Sequence, residues 1–268
     1  MYRNERLLLE LRLNELNPFV DEFVLIEATH TFSGIPKPLF YDEIKDTEIF
    51  APFRGKITHL VFDNPPVHNR WVNERGQRNN ADEYLADTAK PDDIIIVSDI
   101  DEIINTIIFP VIATIRTPAK LMMEEYYYAF NCRSNQMWAW PAVCRYRDYK
   151  SANFLRNSSY YSDEIYHKIA VLNAGWHYGY LMSAEEIAHK IESAAHTEYD
   201  NNEFKNLNRI QACIDYHLDL FGRNISYQIT ELSGPAYLMK NKEKFAEFIR
   251  GTDDTNCHSS IQEQAAAR

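Results

Sequence analysis

The sequence predicts an α/β protein: a Rossmann-like, nucleotide-binding type of sheet in the first half and a mixed, aromatic-rich half after it. Three observations carry this. Strand-like and helical stretches alternate over residues 23–97, the pattern of doubly wound sheets. The last strand, Ile94-Ile95-Ile96-Val97, is four β-branched apolar residues and reads as a central strand buried on both faces. Beyond residue 120 the strand-like runs become rich in Tyr and Trp, as expected of a mixed or antiparallel extension.

In chain order, Leu9, Leu13, Leu16 and Val20 recur at helical spacing, so a helix is expected from residue 5 to 16. Pro18 stops it. Phe23 to Ala28 reads as a buried strand holding Glu27, and Thr31 to Pro38 as a loop of turn formers. Ile57 to Phe62 is the second strand, ended by Asn64-Pro65-Pro66. The stretch from Trp71 to Ala89 is expected to be helical in its second half, and the strand at 94–97 follows. Strands are then expected over Met122–Phe130, Met137–Cys144 and Val171–Met182. Helices are expected over Ala184–Ala194, Asn206–Asp215 and Lys242–Phe248. No repeat or linker divides the chain, so residues 1–251 read as one domain and 252–268 as a flexible tail.

Composition narrows the function classes. The 268 residues are 45% hydrophobic, enough for a large core. A net charge of −11 argues against a nucleic-acid binder. An acidic protein still binds an anionic nucleotide through a metal ion and a few local Arg or Lys. The cysteines at 132, 144, 213 and 257 lack zinc-ribbon spacing and read as reduced thiols. No apolar stretch is long enough to span a bilayer, which predicts a soluble chain, with the cytoplasm as its expected location. A chain trimmed of a membrane anchor reads the same way.

The chemistry centres on Asp99, Asp101 and Glu102. Three carboxylates are costly beside a core unless they sit in the ligand crevice at a strand's carboxyl end. Locally extended backbone would point Asp99 and Asp101 the same way. Two hard oxygen ligands suit Mg²⁺ or Mn²⁺ already carrying a phosphate. The bland alternative makes Asp99 a cap and leaves the other two solvated. A strand followed by Asp-x-Asp also fits a haloacid-dehalogenase-type phosphatase, in which Asp99 would be the nucleophile. Against that, the motif lies far from the N-terminus and is followed by Glu102-Ile103-Ile104 rather than a small residue and Thr.

Three further clusters accompany it. Glu74 and Arg78 are spaced to pair on a helix, while Arg75 or Arg78 would serve a diphosphate or hold the acid-tipped strand. His177 follows Gly175-Trp176 in an apolar run, and is either a satisfied core histidine or an added metal ligand. His196, Glu198 and Asp200 follow the 184–194 helix, either as a polar junction or as the source of a general base.

Taken together, these segments resemble glycosyltransferase family 17. The resemblance is carried by residues 9–16 (LELRLNEL), 23–28 (FVLIEA) and 31–38 (TFSGIPKP), then Glu74-Arg75 with Gln77-Arg78 and Ile95 to Glu102. It continues through Tyr126-Tyr127-Tyr128, Gly175-Trp176-His177 and His196-x-Glu198-Tyr199. One departure is Ile104, where the family's pattern commonly has Pro. The resemblance implies a GT-A fold, a UDP-sugar donor with N-acetylglucosamine as the expected sugar, a glycan or glycoprotein acceptor and metal-dependent inverting transfer. Asp99 and Asp101 match the family's Asp-x-Asp motif. Asp101 is then expected to bind Mn²⁺ or Mg²⁺, with Asp99 on the metal or the ribose and His177 as an extra ligand. Glu27 is expected at the uridine, Arg75 or Arg78 at the phosphates, and Glu198 as base, with Glu102 and Asp200 as rivals.

Overall fold

The computed structural model describes residues 1–116, 118–158 and 169–251. The tail expected from residue 252, with Cys257, lies outside them. In chain order the elements are α1 (Arg6–Leu16), β1 (Phe23–Ala28), α2 (Phe40–Ile44), β2 (Ile57–Phe62), α3 (Arg70–Asn79), α4 (Ala81–Thr88), β3 (Ile94–Val97) and β4 (Glu102–Ile104). Then come α5 (Phe109–Thr114), β5 (Ala119–Leu121), β6 (Met123–Tyr127), β7 (Cys132–Trp138), β8 (Ala142–Arg145), α6 (Ala152–Asn157), β9 (Ile169–Val171) and β10 (Gly175–Gly179). The chain closes with α7 (Ala184–Ser193), α8 (Leu207–Asp215), β11 (Tyr227–Ile229) and α9 (Ala236–Lys240). They fall into two compact units: one of Met1–Met123, Trp138–Trp176 and Ser193–Ala195, the other of Glu124–Met137, His177–Glu192 and the chain from His196.

In the first unit β1 and β2 pair in parallel, Phe23 opposite Ile57 and Ala28 opposite Phe62. A separate four-stranded sheet runs in the order β3-β8-β5-β9 and is mixed: β8 is antiparallel to β3 and β5, while β9 is parallel to β5. The architecture is therefore α/β, but β3 is an edge strand and not the expected central one. With one neighbour and not two, its residues Ile94–Val97 are half-buried. The α1 stripe forms as predicted: Leu9 and Leu13 pack with Tyr2, Leu25, Tyr41, Ile44 and Phe53, and each such burial contributes about 1.5–3 kcal/mol. A second cluster joins Leu16 to Ile104, Ile112, Leu121 and Val143.

In the second unit strands neighbour one another in the order β11-β7-β6-β10. Its core is aromatic and aliphatic, with Tyr127, Tyr128 and Tyr227 beside Ile187, Ile191, Ile210 and Leu220. The aromatic-rich segments thus supply core packing. Among the described residues no helix is long and apolar enough to cross a membrane.

Several expected elements differ in detail. Helix covers 70–88 nearly throughout, because Asn69 caps α3 by accepting from the Trp71 amide. The 137–144 run breaks at Ala139-Trp140-Pro141, where Pro cannot donate to a ladder. The 171–182 run breaks at Leu172–Ala174, with Asn173 in the left-handed region at φ 53°. Residues 242–248 form turns ending in a short 3₁₀ segment, and the helix lies earlier, at α9.

Candidate active site

The residues after β3 fold into a tight turn. The Glu102 amide donates to the Asp99 carbonyl at 3.1 Å, a hydrogen bond that closes a four-residue turn. The expectation of locally extended backbone across Asp99–Asp101 is therefore corrected. The turn wins because Glu102 folds back: its Oε2 accepts from the Asp99 amide at 2.5 Å.

Glu102 is fully buried. Arg156, from the end of α6, meets it with a two-pronged pair, Nη1 to Oε2 at 2.8 Å and Nη2 to Oε1 at 2.7 Å. The Trp138 indole donates to Oε1 at 2.5 Å. The same Arg156 Nη2 lies 2.7 Å from Asp99 Oδ2. Arg78, buried on α3, sits 3.6 Å from that oxygen, 2.9 Å from Glu74 Oε1 and 3.2 Å from Asn153 Oδ1. Arg12 braces the backbone, donating to the carbonyls of Asp99 (3.1 Å) and Glu102 (2.7 Å) and to Ser98 Oγ (2.6 Å). Burial alone would raise the Asp99 carboxyl, but Arg156 and then Arg78 outweigh it and hold the group well below the usual carboxylate range. Asp101, the tip of the turn, is partly exposed.

Lys120 supports this arrangement from the sheet. It is buried on β5 and donates to the Trp140 carbonyl at 3.2 Å and to the Arg156 carbonyl. Burial, then the neighbouring Arg156 charge, push its amine down to about 7.

Asp99, Arg12 and Arg78 line a cavity of about 820 Å³ together with apolar residues such as Leu13, Leu25 and Ile96 and further charged ones, among them Glu22, Lys90 and Asp93. That volume is in the range of small-molecule sites. Glu27, at the end of β1, is fully buried. It accepts from the Phe40 amide (2.6 Å), the Tyr41 amide (3.2 Å), Lys37 (3.2 Å) and His59 Nε2 (3.2 Å). It ties the 37–41 loop to the strand.

The other sequence-level candidates are placed as follows. Arg75 is exposed on α3 while Arg78, three residues on, is buried; the expected Glu74–Arg78 pair forms. In the second unit His177 is buried with Nδ1 3.8 Å from Glu125 Oε1. Also there, Glu198 is exposed and bonded to His196 Nδ1 at 2.7 Å, which lowers its carboxyl pKa. Asp200 pairs with Lys205 at 2.6 Å.

Sequence reasoning missed Arg12, Lys120, Trp138 and Arg156. For Arg12 a signal existed: it falls within the apolar stripe of α1, between Leu9 and Leu13, where a charge needs a buried partner. Nothing local marks the other three.

Among the described residues no three His, Cys, Asp or Glu side chains are grouped to hold a metal ion. The donor set does not suit a resident, protein-caged ion. It does suit Mg²⁺ or Mn²⁺ brought in by a diphosphate, which takes one or two carboxylates from the protein and the rest of its shell from phosphate and water.

Residues 1–252 match the model of glycosyltransferase family 17. Among curated proteins, the chain is 24% identical to the human beta-1,4-mannosyl-glycoprotein 4-beta-N-acetylglucosaminyltransferase, over 89% of this chain and 52% of that protein. The rat and mouse enzymes of the same name match at 24% identity, each over 51% of its length. The chain spans about half the length of these relatives. No solved structure matches.

Proposed function

The chain belongs to glycosyltransferase family 17, and we propose that it transfers a sugar, N-acetylglucosamine by the relatives' name, from a UDP-sugar to a hydroxyl of a glycan or glycoprotein. The observation that carries this reading is the acid turn at the end of β3, whose Asp99 lines the 820 Å³ cavity together with Arg12 and Arg78. A GT-A arrangement of the sheet is part of the proposal.

In this reading Asp101 would hold Mn²⁺ or Mg²⁺ that arrives on the donor's diphosphate. When bound, the ion supplies Lewis-acid neutralisation of the charge that grows on the departing UDP. Arg78 adds a fixed positive charge where phosphate would sit, and needs no reorganisation to do so. Asp99, held by Arg156 and Arg78, keeps its carboxylate toward the ribose or metal. The acceptor oxygen attacks the anomeric carbon, the bond from that carbon to the phosphate oxygen breaks, and a carboxylate takes the hydroxyl proton. Glu198 is the base expected from the resemblance, and it lies in the second unit. Glu102 is not suited to that role, since both of its oxygens are engaged by Arg156 in a dry site. Glu27 acts on the uridine end through the 37–41 loop that it anchors.

The same geometry weighs against an aspartyl-phosphate mechanism, because the would-be nucleophile Asp99 is clamped by two guanidinium groups. Calorimetric titration of UDP with Mn²⁺, and then with EDTA, tests the reading. Binding is expected to need both the metal and Asp101. No UDP binding by the wild-type chain under either condition overturns it, and Mg²⁺-dependent hydrolysis of a phosphoester would then favour the phosphatase class.

A further inference from the structure

We propose that the buried Arg156–Glu102 pair, keyed by Trp138, is the positioning device of the acid turn: it shapes the backbone so that Asp101 is presented to the donor's metal–diphosphate. The inference rests on the donor-site reading above and deepens it by giving Glu102, Arg156 and Trp138 a positioning role.

The argument is one of geometry and charge. Glu102 has two oxygens, and both are used twice: Oε1 by Arg156 and Trp138, Oε2 by Arg156 and the Asp99 amide. The last of these closes the turn from its inside. Glu102 is thus the hub on which the turn folds, and its orientation is set by a planar guanidinium fork and an indole, both with little rotational freedom. Arg156 also reaches Asp99 Oδ2 at 2.7 Å, so one side chain sets both carboxylates that flank Asp101. Arg156 in turn is held through its own carbonyl by Lys120. Neither Arg156 nor Glu102 needs to touch the donor.

A lysine at 156 would keep the charge and lose the fork, so it separates charge compensation from positioning. The experiment measures affinity for UDP in the presence of Mn²⁺ and in EDTA, by calorimetry, on the wild-type chain and on Arg156→Lys, with near-ultraviolet circular dichroism to confirm packing. The expected result is a folded Arg156→Lys chain whose Mn²⁺-dependent affinity for UDP falls at least about ten-fold, while any metal-free binding is unchanged. A folded variant that binds UDP and Mn²⁺ like the wild type overturns the proposal. So does an equal loss with and without metal, which marks a merely structural role. If Arg156→Lys does not fold, the decision passes to Trp138→Phe, which removes one hydrogen bond to Glu102, leaves the ion pair and keeps a ring in place. A several-fold loss confined to the Mn²⁺ arm supports the proposal, and unchanged affinity overturns it. A wild-type chain with no Mn²⁺-dependent UDP binding fails at the earlier step, so the two failures are distinguishable.

Discussion

Glu102 and Glu198 are carboxylates that each sit within 3 Å of a basic side chain, at 2.7 Å from Arg156 and from His196 respectively. Their surroundings make these contacts physically different. Glu102 is fully buried and meets a planar, permanently charged fork, an indole and a backbone amide. Glu198 is 55% exposed and meets a histidine that is equally exposed. Water screens the second pair and leaves it worth little. The first pair cannot be broken without leaving a charge stranded in a dry site. The lesson is that one residue type supplies a frame in one place and a chemically available group in the other.

Five substitutions test this contrast. The largest effect is expected for Asp101→Ala, at the tip of the rigid turn. Turnover should fall by about two orders of magnitude or more, since a metal-held charge contributes several kcal/mol at the transition state. Its melting temperature should barely move, and retained activity at saturating Mn²⁺ would remove Asp101 from the site.

Next is Glu102→Ala, which should cost about 3–5 kcal/mol of stability by urea unfolding, as for any half-broken buried ion pair. A loss under about 1 kcal/mol would show that the frame is not where we place it. Glu198→Gln should invert that pattern. Stability should stay within about 0.5 kcal/mol, as for exposed substitutions, while kcat should fall by about 100-fold if this group takes the acceptor's proton.

A smaller effect concerns pH. Lys120 has its amine lowered from 10.5 to about 7 in the folded chain. Between those values the unfolded chain holds a proton that the folded one does not, so stability should rise with pH across this window. The cost is fully present below about 7. Melting curves of wild type against Lys120→Met should converge as pH climbs toward 10.5, and parallel curves would contradict the assignment. The smallest effect is at the exposed pair. His196 lowers the Glu198 carboxyl, so His196→Gln should move the acid limb of the pH–rate profile upward. Any stability the pair adds is lost only as pH falls through the lowered value.

Much of the chain was legible as sequence. The stripe of α1, strands β1, β2 and β3 and the helices at 184 and 207 follow from periodicity and caps. So does the acid-tipped strand end, and the family follows from motifs in order. The Glu74–Arg78 pair was readable because its partners lie one helical turn apart. Short strands such as β5 and β9, with three residues each, carry too few side chains to show a period.

The sequence by itself determined that three carboxylates end a β-branched strand, and that chemistry or compensation must follow. Tertiary structure alone decided which of them is compensated. The charge that meets Glu102 is 54 residues further along the chain, and the one that braces its carbonyl is 90 residues earlier. No local pattern encodes a partner at that distance. The pairing exists only once α1, α6 and the sheet have been packed by their apolar faces, and that packing delivers Arg12 and Arg156 to the turn.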